Sequence, residues 1–499
     1  MSDDGQQVRR IAIFGQSHEL WPVAALLVKN LPAATKLIAV EDSDVVDPAA
    51  VTVRLDDPLL VRLGISAEEL RAANSATFAL GTELRDWLHH GSRFFATGSG
   101  SLPEIGDIAI HQIMLRAALI YDQPDRLAYL YQPFRLPARA AEAGKFALQS
   151  SDPRSPLSML RPTVQLDRAD YVALFRNRLP SGRVNRFTAH PTAVLVAADG
   201  ETINRVELDN GNVVDADLFI DVSGAVGDVA KLKSQADWHS ISDGFPFDRL
   251  LATETTDDPG KADRHGVARA IKGGVLITTP LRETSITQLV CASSVMSGEA
   301  PQDLAKFEGN ATALEPGYSA QPWIGNLVQL GTASSCFGPF LSADTMMLHR
   351  QAALFTDHLP ARLEMTVEAR EFNRRHLLVA QQVRDFVQLP LALNRREDAP
   401  WAGLRGRTLA ESLAIRIDQF RSRGRFVAFE SEICDEQSWI DMMIGFGVVP
   451  GRVDPMAQSL DMTTMSRRLK NLTTAFDQAL AAMPLYRDAF DGSGADALP

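Results

Sequence analysis

The chain has 499 residues, 45% of them hydrophobic, and a net charge of −12. That length predicts about three domains of roughly 150 residues, or fewer large interwoven ones, with ample apolar content for a core. The negative charge argues against a nucleic-acid partner, which needs a basic face, and no apolar run approaches the ~20 residues of a membrane span.

The residues Ile11-Ala12-Ile13-Phe14 read as a short apolar strand that passes through Gly15 into a helix. Pro22 is expected in the first turn of that helix, where proline is tolerated. A second apolar run, 37–40, ends in Glu41. Strand, glycine turn, helix, strand and terminal acid make the frame of a dinucleotide fold. In that fold the helix N-terminus receives a pyrophosphate and the acid a ribose hydroxyl. The glycine pattern G-x-G-x-x-G, however, reads Gly15-x-Ser17-x-x-Leu20.

Further along, Ser66 and Glu69 form a capping-box pattern, and Asp107 is expected to cap a helix through Ile108, Ile110, Met114 and Leu119. Residues 139–160, rich in alanine, serine and proline, read as an excursion loop. Strands are expected at 193–196, 206–208 and 217–221, with a hairpin turn at Asn210-Gly211-Asn212. Others are expected at 275–277, 288–290 and 327–331. Helices are expected at 345–359 and 365–389, and the last hundred residues are mostly helical, closing on 469–483 before a low-complexity tail after Asp491. The strand–glycine returns at Asp221 and Gly331 suggest an α/β flavoprotein. Its dinucleotide module would lie within 1–360, assembled from segments of about 8–45, 160–230 and 320–360. A substrate layer would be inserted between them, and a mainly helical region, 361–499, would cover that layer.

Several ordered motifs resemble the flavin-dependent tryptophan halogenase family from end to end. Ala216-Asp217-Leu218-Phe219-Ile220-Asp221-Val222-Ser223-Gly224 resembles the strand–glycine return of that family. The run Gln321 to Gly331, with Trp323 and Asn326 within it, resembles its second flavin-contacting segment. Phe372-Asn373-Arg374-Arg375, Arg384-Asp385-Phe386 and Asp398-Ala399-Pro400-Trp401 follow in order. Gln437-Ser438-Trp439 through Gly445-Phe446-Gly447, and Ala482-Met483-Pro484, complete the set. The resemblance implies an α/β (α+β) fold of the FAD-dependent monooxygenase and halogenase type, with an inserted substrate module and a helical C-terminal part. It also implies the family's chemistry. Reduced FAD, delivered by a flavin reductase, reacts with oxygen and halide to make hypohalous acid. A lysine assisted by a glutamate then passes the halogen to an indole-like ring.

At the residues that carry this chemistry the chain departs from the pattern. The family's Thr-Phe-Lys-Leu-Gly reads Thr77-Phe78-Ala79-Leu80-Gly81, so alanine stands for the lysine. Its Glu-Pro-Leu-Glu-Ser reads Gly338-Pro339-Phe340-Leu341-Ser342, so leucine stands for the glutamate. The signature Gly-Trp-x-Trp-x-Ile-Pro reads Gly274-Val275-Leu276-Ile277-Thr278-Thr279-Pro280, without either indole. No residue is assigned as catalytic. At the turn, Ser17 brings a β-carbon where backbone must approach pyrophosphate, and Leu20 crowds the helix–strand contact. Glu19 adds a negative charge at the helix N-terminus, and repulsion between unit charges near 4 Å is roughly 1–4 kcal/mol. Between Asp42 and Leu63 there is no glycine for the family's Gly-Val-Gly-Glu-Ala-Thr loop.

Gly15, Ser17, Glu41, Asp221, Gly224 and Gly331 remain the residues that would contact FAD, the cofactor implied by resemblance. Glu41 and Asp221 are equally well read as acids that finish strands or cap backbone. His111 and His349 lack a second ligand at zinc spacing, and Cys291, Cys336 and Cys434 lack any C-x-x-C pair, so no metal is expected. Arg374-Arg375 and Arg395-Arg396 read as helix-surface ion-pair partners. Met1 to Gly5 is polar and acidic, unlike a signal peptide, so a cytoplasmic protein is expected. The reading that follows is a non-halogenating scaffold that binds a partner, either a paralogous halogenase or a flavin reductase, or an aromatic small molecule, as a homodimer or heterodimer. The competing reading is an FAD-dependent halogenase or monooxygenase acting on tryptophan-like aromatics with altered chemistry.

Overall fold

The computed structural model describes residues 7–42, 48–97, 103–232, 237–256, 265–296, 307, 311–430, 432–486 and 488. The acidic start, part of the glycine-free stretch after Asp42, and the tail after Asp491 lie outside them. The chain forms two compact units. The first comprises Met1–Ala76, Leu166–Glu254 and Ile286–Arg384, and the second Thr77–Gln165, Thr255–Ser285 and Asp385–Pro499.

The first unit is built on a six-stranded sheet. Strands β1 (Arg10–Gly15), β2 (Lys36–Glu41), β3 (Val184–Thr188), β4 (Leu218–Asp221), β5 (Trp323–Ile324) and β6 (Leu327–Gln329) lie in the order β5-β6-β4-β1-β2-β3. Only the β5–β6 pair is antiparallel. In β1, Ile11, Ala12, Ile13 and Phe14 are all buried, so both faces of the strand are covered, as a central parallel strand requires. Helix α1 (Ser17–Asn30) follows β1 directly. Below one face lies a cluster of Ala12, Phe14, Val40, Phe219, Val206 and Leu327, with the hairpin strands Pro191–Val196, Ile203–Leu208 and Val213–Val214. The turn at Asn210-Gly211-Asn212 closes that hairpin, Gly211 in the left-handed region at φ 81°. Asn326 ties the hairpin to the sheet. Its side chain accepts from the Ile203 amide at 2.7 Å and donates to the Ile203 and Asp217 carbonyls.

In the second unit, strands Gly274–Pro280, Gly266–Ile271, Gly81–Arg85 and Arg93–Thr97 are neighbours in that order. Helices Ile110–Ile120, Leu127–Tyr131, Leu136–Glu142, Glu411–Arg423, Glu436–Gly445 and Met462–Ala482 accompany them. Two tryptophans act as anchors. Trp87 donates to the Ala268 carbonyl and Trp401 to that of Ile271, and their rings meet edge to face at 5.2 Å. A mixed α/β architecture with a helical C-terminal region is therefore observed.

Local details differ from the sequence expectations in three places. Pro22 lies in the second turn of α1, because the helix starts only at Ser17; lacking an N–H, it leaves the His18 carbonyl without its helical donor. Asp107 does not cap the following helix. It adopts φ 59° in a turn, and the helix Ile110–Ile120 opens on Ala109 without a side-chain cap. The stretch 139–160 is only partly loop, since Leu136–Glu142 is helical with Leu136, Ala138 and Ala140 buried. By contrast, Ser66 and Glu69 do form the reciprocal capping box of helix Ala67–Ala72. Because Asn326 satisfies three backbone groups, two of them buried, Asn326→Ala should cost about 2–4 kcal/mol, read as a lower urea midpoint with an unchanged slope.

Candidate cofactor site

The turn after β1 keeps one glycine for a steric reason. Gly15 has φ 136°, and a β-carbon there would lie 2.6 Å from Val222 Cγ2. Gln16 then stands at the N-cap with no side-chain cap bond, and α1 begins at Ser17. The Ser17 hydroxyl donates to Glu41 Oε1 at 2.7 Å, and the Trp21 indole N–H donates to the same oxygen at 2.7 Å. Arg186 Nε donates to Oε2, while its guanidinium lies 5.5 Å from the Trp21 ring centre. Glu41, the acid placed to grip a ribose, is 2% exposed, and both of its oxygens are engaged by protein donors.

Glu19 lies across from the turn that follows β6. Its Oε1 accepts from the Thr332 amide at 2.9 Å, and its Oε2 lies 2.8 Å from the Thr332 hydroxyl. That hydroxyl is also 3.1 Å from the Val222 carbonyl. One hydroxyl proton cannot serve two acceptors. A protonated Glu19 resolves the conflict, donating from Oε2 to Thr332, which in turn donates to Val222. Electrostatics agree, since burial pushes the Glu19 carboxyl up to about 8. The Thr332 bonds and Arg168 oppose that push, and Asp344 adds to it. The sequence-level expectation of charge repulsion therefore needs correcting. Below about pH 8 the obstruction is occupancy by a neutral acid, and charge joins it only above.

Gly331 is shaped by the same contact. It has φ 56°, and a β-carbon there would lie 2.4 Å from Glu19 Oε1. Its amide donates to Gln351 Oε1 at 2.7 Å, and Gln351 Nε2 donates to the Ser334 hydroxyl at 2.7 Å. Gln351 belongs to α2 (Ala343–Asp357). Asp221, at the end of β4, is fully buried and accepts from the amides of Ser223, Gly224 and Gly227. Burial raises it to about 6 against those bonds. Gly224, the N-cap of the helix Ala225–Ala230, is left-handed at φ 88°, a conformation that favours glycine. Leu20 is fully buried. The structure thus brings Gly15, Ser17 and Glu41 together at the start of α1, and Glu19 with Gly331 opposite it. Asp221 and Gly224 serve their own backbone turn. Thr332, Gln351 and Arg186 were not foreseen, because no local spacing links Glu19 to a threonine 313 residues away.

These residues do not fit a flavin dinucleotide held in the usual manner. The slot between the α1 start and the 331 turn holds the Glu19 side chain, the Thr332 amide is spent on it, and the ribose acid is closed by Ser17, Trp21 and Arg186. The catalytic positions agree. Ala79 is buried and offers only its carbonyl, to Thr163. Leu341 and Ser342 both sit left-handed, at φ 55° and 57°, a strain of roughly 1–2 kcal/mol per residue held without an acid there to use it. Val275 and Ile277, at the two indole positions of the signature, are a buried and a half-buried aliphatic. His349 bonds Tyr171 at 2.5 Å and pairs with Asp57, and His111 bonds the Gly424 carbonyl, so both work inside the core. The three cysteines are buried, and none of them forms a disulfide. Among the described residues no three His, Cys, Asp or Glu side chains gather as metal ligands, and no helix is long and apolar enough to cross a membrane.

Residues 10–462 match the family model described as tryptophan halogenase. Tryptophan 7-halogenase RebH of Lentzea aerocolonigenes is 24% identical over 291 residues, 53% of this chain and 55% of RebH. Tryptophan 7-halogenase KtzQ of Kutzneria sp. (strain 744) is 22% identical over 461 residues, 84% of this chain and 83% of KtzQ. Among solved structures, the flavin-dependent halogenase BrvH from Brevundimonas sp. BAL3 superposes with a TM-score of 0.87 at 25% identity, covering 97% of this chain and 99% of that one.

The raised Glu19 carboxyl has a measurable consequence. Its folded value of about 8 exceeds its ordinary 4.5, so between those values the folded chain holds a proton that the unfolded chain releases. Stability therefore falls as pH rises from about 4.5 to about 8 and levels off above. Glu19→Gln should match the parent melting temperature near pH 4.5 and exceed it at pH 8.5 in thermal denaturation. Asp221 and Asp344, both raised to about 6, keep their own fall between about pH 4 and 6 in either protein.

Proposed function

Because the chain belongs to the tryptophan halogenase family, whose flavin dependence implies FAD, we propose that it keeps the family scaffold for binding and does not itself halogenate. The observation that carries this reading is Glu19 seated on Thr332 against Gly331, where the dinucleotide would thread. Ala79 and Leu341 support it independently, since a methyl group and an isobutyl group can neither form a chloramine nor orient hypohalous acid. In this reading the chain works as a partner protein, paired with a paralogous halogenase, or as a binder of an aromatic small molecule.

The test is direct. Purified protein, equilibrated with about 20 µM FAD and dialysed, should retain no stoichiometric flavin, a level that would require a Kd well below that concentration. With a flavin reductase, NADH, bromide and indole it should give no brominated product by mass spectrometry. Ala79→Lys with Leu341→Glu should remain inactive, because the cradle stays filled. Retained FAD with oxidation of indole would instead establish the oxygenase reading, and brominated indole from the unaltered chain would overturn the proposal outright.

A further inference from the structure

In the second unit, helix Ile110–Ile120 carries Gln112, Arg116 and Ile120 at the i, i+4 spacing that lines side chains along one face. The segment 451–462 is laid along that stripe. Gln112 Oε1 accepts from the Asp454 amide at 3.3 Å, and Nε2 donates to the Arg423 and Gly424 carbonyls. Arg116 Nη1 donates to the Ala457 carbonyl at 2.8 Å and to that of Leu460 at 2.7 Å. A helix rises 1.5 Å per residue, so Gln112 and Ile120 are about 12 Å apart along it. The result is a ridge of fixed direction. The loops 421–425 and 451–452 form one end, and the residues after Ile120 form the other.

Side chains on the ridge are sorted by charge. At the first end Arg421, Arg423, Arg425 and Arg452 are exposed. Arg421 pairs with Asp418, and Arg425 pairs with the buried Asp454 and feels the field of Glu436. Arg423 and Arg452 enter no ion pair among the described residues. Arg452 donates to the Ser422 hydroxyl at 2.8 Å, and Arg423 only adds its field to Asp454. The middle is apolar: Met456, Ile120 and Tyr121 are 52%, 54% and 70% exposed. At the far end Asp122 and Asp125 are exposed, and they too enter no ion pair among the described residues. The neighbouring Arg126 is turned to Gln123 and to the Tyr129 ring. Large apolar side chains gathered in the open, rimmed by charge, mark an interaction surface.

We propose that the occupant of this ridge is the same ridge of a second copy of the chain, related by a two-fold axis through its apolar middle. Such an axis reverses the ridge. Arg423 and Arg452 of each protomer then face Asp122 and Asp125 of the other, and Met456, Ile120 and Tyr121 pack between them. Pairing in the same direction would set arginine on arginine, so charge fixes the orientation. A uniformly acidic or uniformly basic partner would meet repulsion at one end, whereas a reversed copy meets none. The inference is independent of whether the flavin cradle is closed.

Sedimentation velocity of the full chain at about 10 µM tests it, with a species of twice the 54.5 kDa chain mass expected. Ile120→Asp, at the apolar middle, should raise the dissociation constant at least about tenfold and leave the far-UV circular dichroism unchanged. Exchanging one end at a time isolates the charge pattern. Arg423→Glu with Arg452→Glu makes both ends acidic. Asp122→Asn with Asp125→Lys makes both ends basic, and asparagine tolerates the left-handed φ of 52° at residue 122. Each of these chains alone should be monomeric at that concentration. Mixed in equal amounts they should form a one-to-one dimer, seen by native mass spectrometry, because both charged contacts are complementary again. A monomeric parent, which would leave the ridge to a different partner, would overturn the proposal. So would a dimer indifferent to Ile120→Asp, or a mixture that stays monomeric. None of these outcomes alters the FAD and bromination results, so the two readings fail separately.

Discussion

A single hydrogen-bonded contact, the Glu19 carboxyl on Thr332, organises what surrounds it. Burial makes the acid neutral, neutrality lets it donate to the Thr332 hydroxyl, and that hydroxyl can then serve the Val222 carbonyl. The contact leaves no room for a β-carbon at residue 331, so Gly331 is demanded by the protein's own interior. Through the Gly331 amide the constraint passes to Gln351 and α2. A buried carboxyl group that is fully bonded is tolerable where an ionised, unpaired one is not.

The same logic shows how the protein's own contacts hold each part of the dinucleotide frame in place. Gly15 is held by Val222, Gly224 by its left-handed N-cap position, and Asp221 by three amides of its own turn. None of these needs a cofactor to justify it. Glu41 follows suit, bonded by Ser17, Trp21 and Arg186. Ser17, which departs from the glycine pattern, is therefore the hydroxyl that closes the ribose acid. The left-handed pair Leu341-Ser342, at φ 55° and 57°, is likewise held with no acid side chain at either position.

How much was legible beforehand depended on the range of the signal. The β1–α1–β2 frame, the Asn-Gly hairpin and the Ser66–Glu69 capping box are set by neighbours a few residues apart, and they read correctly. Asp107 and Pro22 misled because each depends on where a helix starts, which is decided by a turn or less and by packing of the segment before it. Ordered motifs from Ala216 to Pro484 pointed to the family and its fold, and alanine at 79 and leucine at 341 were read directly from the Thr77–Gly81 and Gly338–Ser342 runs. Glu19 was visible as an anomaly, but its partner and its protonation state were not.

The sequence by itself determined the frame, the family and the absence of the lysine and glutamate side chains, because each is a matter of local pattern or of residue identity at an aligned position. Only the tertiary structure decided that Glu19 is a neutral occupant, since a carboxyl group's charge depends on the water removed around it and on Thr332, far away in the chain.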